Sequence, residues 1–236
     1  VYTLGREKIE RDGVPVLPSD WQTASARELF FMLLHGSLSR DAISLELWPD
    51  STPAQVRSNF HTTLFRVRLA LGENVIVFHN DVYSINPEID LWYDVREFQQ
   101  LIQRAQSLSV RDARTEDLYR RAVDLYQGDF LSLMDREWII YAREDLNESY
   151  LEALNGLGRC AQARRDFRQA LRLYKQVLKL DPFREDVHRS IMSCYAEQGE
   201  RQKVYAHYKH MQELFQQELA LEPTDETQIY ARTLLS

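Results

Sequence analysis

Cysteine is scarce in this chain: two residues in 236 cannot staple a secreted scaffold, so stability must come from burial and a reducing, cytoplasmic compartment is expected. No apolar run of about 18 residues occurs, and no basic-then-apolar leader opens the sequence, so nothing reads as a membrane span or a signal peptide. Catalytic signatures are missing as well. There is no G-x-S-x-G, no G-x-G-x-x-G and no Walker loop to cradle a phosphate. Among the six histidines, His35, His61, His79 and His188 are scattered, and His207 and His210 share a helical turn without a completing ligand set. The expectation is a protein that is not an enzyme and has no catalytic residue, no cofactor and no metal. A start at Val1 in place of methionine is expected of a part excised from a longer protein.

Apolar residues, by contrast, make up 44% of the chain, enough to fill two cores. These are expected over residues 1–96 and 97–236. The formal charge is −7, from 29 basic against 36 acidic residues, which excludes a generic coat for nucleic acid. The sign is uneven, however. Residues 53–71, PAQVRSNFHTTLFRVRLAL, carry Arg57, Arg66, Arg68 and His61 and no acid, so focused contact between one helix and a polyanion stays open.

Within residues 1–96, β-capable segments at Val1–Leu4 and Val14–Leu17 flank turn residues Asp12 and Gly13, which predicts a small antiparallel sheet. Thr23 is the expected N-cap of a helix through His35 that Gly36 stops. Ser39 caps a short helix in which Ala42, Ile43, Leu45, Leu47 and Trp48 are expected to turn inward before Pro49 ends it. Thr52 caps a third helix with Pro53 at its first position, where the missing N–H costs nothing. Along that helix Val56, Phe60, Leu64, Val67 and Leu71 repeat every three or four residues and predict one buried face. Ser58, Thr62, Phe65 and Leu69 lie opposite, with His61, Arg66, Arg57 and Arg68 along the flanks. Val75–Phe78 and Val82–Ile85 then form two β-rich arms around His79, Asn80 and Asp81, a hairpin.

From Asp94 onward the pattern is helical, with a capping box expected between Asp94 and Glu97 and breaks near Gly128, Asp166, Asp181-Pro182, Gly199 and Pro223. Set against the tetratricopeptide pattern, Leu154, Leu157, Gly158 and Ala161 fill one helix and Ala170, Tyr174 and Val177 its partner. Ile191, Met192, Tyr195, Val204, Tyr208 and Met211 repeat those positions. Cys160 and Cys194 hold equivalent places and read as filler between helices, not as a redox or metal pair. Asp129 and Asp181 read as caps or turn residues. Phe130, Leu131, Trp138 and Tyr141 are expected to pin the first helix pair as core.

The segments ARELFFMLL, SRDAISLELWPD, RSNFHTTLFRVRLALG, VIVFHNDVYSI and DVREFQQLI resemble the OmpR-type winged helix at the front of Streptomyces antibiotic regulatory proteins. The stretches LYRRAVDLYQGDFLSLMDREWIIYAREDLNESYLEALNGL and KLDPFREDVHRSIMSCYAEQGERQKVYAHYKHMQELFQQELALEPTDET resemble the bacterial transcriptional activator domain that follows it in those regulators. The two together cover nearly the whole chain in the family's order.

The resemblance implies an α+β N-terminal winged helix-turn-helix over residues 1–96, followed by an all-α tetratricopeptide-like helical repeat domain over residues 97–236. It implies a sequence-specific, DNA-binding transcriptional activator whose third helix enters the major groove of double-stranded DNA. Arg57, Arg66 and Arg68 would contact phosphates or bases, Ser58, His61 and Thr62 would face the groove, and His79 and Asn80 at the hairpin tip would touch backbone or minor groove. The helical repeats would self-associate, contact RNA polymerase or another protein, or transmit a signal. The chain departs from the family at Phe65 and Leu69, where members carry small polar or basic residues, and at Asn80 and Asp81, where the turn is usually Gly-rich. Those departures sustain a second reading, a protein interaction module whose winged helix no longer binds DNA.

Overall fold

The computed structural model describes residues 1–236. The chain divides into two compact units, one formed by residues 1–2 and 7–93 and the other by residues 3–6 and 94–236. No helix is long and apolar enough to cross a membrane.

The first unit opens with strands β1 (Glu10–Arg11) and β2 (Val14–Pro15), paired antiparallel across a turn at Asp12 and Gly13. Both turn residues have positive φ, 52° and 79°, the geometry a two-residue hairpin turn demands. Helices α1 (Ala24–His35), α2 (Arg40–Leu47) and α3 (Pro53–Leu71) follow, then strands β3 (Ile76–His79) and β4 (Val82–Ile85). Phe30 and Trp21, with ring centroids 5.5 Å apart, bury with Leu29, Ile43, Phe60 and Val67 to form the core.

Two expectations need correction here. Thr23 occupies the N-cap position of α1 in extended conformation, but its hydroxyl accepts no capping bond. In α2 only Ile43 and Leu47 of the anticipated apolar set are buried; Ala42 and Leu45 face out, and Trp48 is half-buried. A helix of eight residues has room for one inward stripe, and the i,i+4 pair takes it.

The second unit is all helical: α4 (Asp94–Gln106), α5 (Ala113–Leu125), α6 (Glu137–Ala163), α7 (Phe167–Leu180), α8 (Glu185–Glu197), α9 (Arg201–Leu219) and α10 (Asp225–Leu235). Consecutive helices pack on one another. Gly156 and Gly158 of α6 admit the rings of Tyr119 and Tyr174, so that a Cβ at either glycine would lie 2.4 Å from a ring carbon. Cys160 and Cys194 are fully buried, and burial pushes both thiols up, Cys194 to about 12. They pack as small apolar groups. Met192, Val204 and Ala231 make a closing cluster that α10 seals.

Asp94 does not form the anticipated box with Glu97. Its buried carboxylate accepts from the backbone N–H of Thr3, Leu4 and Val95 and from the Thr3 hydroxyl, at 2.6 to 2.9 Å, while Glu97 pairs with Arg121 at 3.1 Å. Leu4 then bridges to Phe130, so the segment 3–6 is woven into the helical unit. Phe130 and Leu131 are core as expected. Arg143 fastens that loop by donating to the carbonyls of Phe130 and Met134 at 2.7 and 2.6 Å. Tyr141 is not core: it is 60% exposed.

Candidate nucleic-acid interface

Helix α3 is defined at its start by a capping box. Thr52 Oγ1 accepts from Gln55 N, Gln55 Oε1 accepts from Thr52 N, and Pro53 stands at the first turn. With the helix start fixed, the 3.6-residue period decides the rest. Phe60, Thr63, Leu64 and Val67 are buried, Val56 and Leu71 are half-buried, and Ser58, His61, Thr62, Phe65 and Leu69 are exposed. The core face is held from behind by the hairpin. Tyr83 of β4 packs on Phe60 at 4.9 Å between ring centroids and exchanges backbone hydrogen bonds with Leu38, at 3.0 and 2.8 Å. That pairing ties β4 to the segment between α1 and α2.

The outward face of α3 is basic along its edges. It contains no Asp or Glu, and Arg57, which is exposed, and Arg66, which is half-buried, form no ion pair within the chain. Arg68 is placed differently from the other two. Its guanidinium turns toward the hairpin, where Nη2 makes a long bond of 3.4 Å to the carbonyl of Ile76. Thr62 is exposed but donates its hydroxyl to the carbonyl of Ser58 at 2.9 Å. The sequence reading missed both, although mid-helix Thr is known to bond back in this way.

At the hairpin tip Asn80 and Asp81 have φ of 50° and 61°, a two-residue turn of the type that matches the strand twist. His79, Asn80 and Asp81 are all exposed, and Phe78 packs on Tyr83 at 4.6 Å. A cleft of about 350 Å³ between α2 and α3 is lined by Arg40, Leu45, Trp48, Val56 and Arg57. Arg40 there pairs with Asp41 of the same cleft at 4.0 Å.

Elsewhere, the structure joins two histidines that the sequence left scattered. His188 Nδ1 lies 3.0 Å from His207 Nε2, and His188 Nε2 lies 2.9 Å from the carbonyl of Pro182. Burial lowers both, His207 to about 3 with the neighbouring His188, His210 and Lys175 adding to the effect. No group of three or more His, Cys, Asp or Glu side chains is placed to hold a metal ion.

The fold is similar to that of Mycobacterium tuberculosis EmbR, solved in complex with a low-affinity phosphopeptide, with a TM-score of 0.83 at 18% identity. The match covers 99% of this chain and 64% of that one, so the chain spans somewhat under two thirds of that protein's length. No curated protein matches. Residues 93–235 match the family described as bacterial transcriptional activator domain. With more than half of its residues inside that match, the chain belongs to the bacterial transcriptional activator domain family.

Proposed function

We propose that this chain is a sequence-specific DNA-binding transcriptional activator, with residues 1–96 acting as an OmpR-type winged helix and residues 97–236 as a tetratricopeptide-like repeat domain. In this reading α3 lies in the major groove of double-stranded DNA. Arg57 and Arg66 meet phosphates, Arg68 meets phosphate or base from the side nearest the hairpin, and Ser58, His61 and Thr62 face base edges. His79 and Asn80, at the tip of the wing, touch the flanking backbone or minor groove. Phosphate contacts supply affinity and base contacts supply selection. The helical repeats offer a surface to RNA polymerase, another protein or a second copy of the chain. Such a regulator works in the cytoplasm.

The observation that carries this reading is the unpaired state of Arg57 and Arg66 on a helix face without a carboxylate, in a chain whose net charge is −7. Unpaired arginines on a helix face that carries no carboxylate suit an external polyanion, because no acid of the same helix competes for them.

The test is a fluorescence titration of this chain against a random duplex of about twenty base pairs, at about 50 and about 200 mM salt. Association that weakens steeply with salt is expected, by about 0.9 in logarithmic slope per phosphate contact. Absence of association at the lower salt would refute the assignment. A second reading, a protein interaction module, is favoured by the exposure of Phe65 and Leu69 and by Asp81 at the wing tip, which repels phosphate. It requires the titration to show no duplex binding.

A further inference from the structure

Phe65 is 59% exposed and Leu69 53% exposed. They are three and seven positions beyond Thr62, so all three share one helix face. Thr62 adds its methyl to that face, because its hydroxyl is engaged by the Ser58 carbonyl. The centre of the outward face of α3 is therefore apolar and able to donate few hydrogen bonds. Its rims carry arginine: Arg66 lies roughly 80° to one side of Ser58 and Arg57 roughly 100° to the other, with His61 between Arg57 and the centre, by the helical period.

We propose that this apolar strip reads thymine methyl groups in the major groove, with Phe65 and Leu69 as specificity-determining residues and the methyl of Thr62 beside them. The inference rests on the reading that α3 enters the major groove, and it names what that face selects. The thymine C5-methyl is the one apolar group that base pairs display in that groove, and side chains such as Phe and the Thr methyl contact it. The occupant is duplex DNA and not a protein because of charge complementarity. A major groove about 12 Å wide presents phosphates along both of its rims, matching cations on both sides of an apolar centre in a helix that carries no acid. Ser58 is left as the one hydroxyl at the centre of the face. Sequence selection by this helix then leans on shape and methyl contact more than on bidentate hydrogen bonds.

The experiment starts from a random duplex pool, enriched on the intact chain. Single thymines of the enriched sequence are then replaced by uracil, which deletes only the methyl. The expected result is an enriched sequence with thymine at two or more central positions, where each uracil weakens binding about three- to tenfold. In Phe65→Ala or Leu69→Ala that penalty disappears at the matching position while binding to the uracil duplex persists. Both side chains are exposed, so helix content measured by circular dichroism should not change.

Enriched duplexes that lack thymine, or that tolerate uracil without loss, would overturn the methyl reading and leave DNA binding standing. So would a uracil penalty that survives in both alanine variants, because it would then arise from the shape of the duplex. Failure to retain any duplex from the pool would overturn the DNA-binding function itself, and this inference with it.

Discussion

A Cβ on Gly158 would lie 2.4 Å from Cε1 of Tyr174, so α6 and α7 approach through a glycine that a fully buried ring covers. The ring cannot swing aside, because it is enclosed and its hydroxyl donates to Gln162 Oε1 at 3.0 Å. Gly158→Ala gains about 1 kcal/mol of helix propensity but forces an overpacked contact costing about 1–3 kcal/mol. A net loss of up to about 2 kcal/mol is expected, with Tm lowered by up to about 8 °C. Tyr174→Leu in the same chain should offset part of that loss. A double-mutant cycle by thermal unfolding checks the coupling; simple additivity would show that the two residues do not press on each other.

Asp94 joins the segment 3–6 to the start of α4 through bonds to Thr3 and Leu4. Replacing it with alanine leaves three backbone N–H groups, those of Thr3, Leu4 and Val95, and a hydroxyl buried without an acceptor. The expected cost is about 2–4 kcal/mol, and Asp94→Asn should cost less because one oxygen acceptor remains. Hydrogen exchange at Thr3 and Leu4 reports the site directly. Exchange there as slow as in the parent chain would show that Asp94 does not hold the segment.

The His188–His207 pair makes the helical unit sensitive to acid. Burial lowers both groups from the ordinary value of 6.5, His207 to about 3. The unfolded chain therefore takes up protons first as pH falls below about 6.5, and the folded form loses stability from there down toward pH 3. At pH 5 the loss from His207 is about 2 kcal/mol. Above pH 7 there is no contribution. Urea unfolding at pH 7 and pH 5 should show the difference in the parent chain, and His207→Gln should flatten it. An unchanged pH dependence in the variant would assign the effect to other groups.

The elements that local chemistry determines were legible in the sequence, among them the Ser39 and Thr52 caps, the Pro53 start, the buried stripe of α3 and the β3–β4 hairpin. The inward face of α2 was not, because two turns with apolar residues on several sides admit more than one orientation. Partners far apart in sequence were also hidden. Asp94 bonds to a residue 91 positions away and His188 to one 19 away, and neither spacing belongs to a secondary-structure period. At the candidate interface the outward set Ser58, Thr62, Phe65 and Leu69 followed from the helical period alone. The turning of Arg68 toward the hairpin could not, because its acceptor is a backbone carbonyl, and every residue has one.

Arg57 and Arg66 separate from Arg68 in the outcome of substitution. Arg57→Ala and Arg66→Ala each remove a free cation, so affinity should fall alike for all duplexes and the salt slope should decrease by about 1 per variant. Arg68→Ala also releases the bond to Ile76 and should destabilise the unit by about 0.5–1.5 kcal/mol, with a smaller effect on the slope if the side chain stays on the hairpin. Titrations at several salt concentrations, run beside thermal unfolding, distinguish the two behaviours. Identical slopes for the parent and the Arg57/Arg66 double variant would remove both residues from the interface.

Asp81 stands at the tip of the β3–β4 hairpin with φ of 61°, a conformation that glycine adopts without strain and aspartate does not. Asn-Gly is the preferred pair for such a turn, so Asp81→Gly should stabilise the hairpin by about 0.4–1 kcal/mol through relief of strain, partly offset by the greater freedom of glycine in the unfolded chain. The same substitution removes a negative charge from the element that would approach the DNA backbone, so duplex affinity should rise at low salt and the gain should shrink as salt is added. Asp81→Asn divides the two effects, since it removes the charge but retains a side chain at positive φ. If affinity rises for Asp81→Gly and Asp81→Asn alike, charge governs the wing's approach to the duplex. A rise for Asp81→Gly alone makes the turn geometry responsible, and no rise in either variant places the tip away from the DNA.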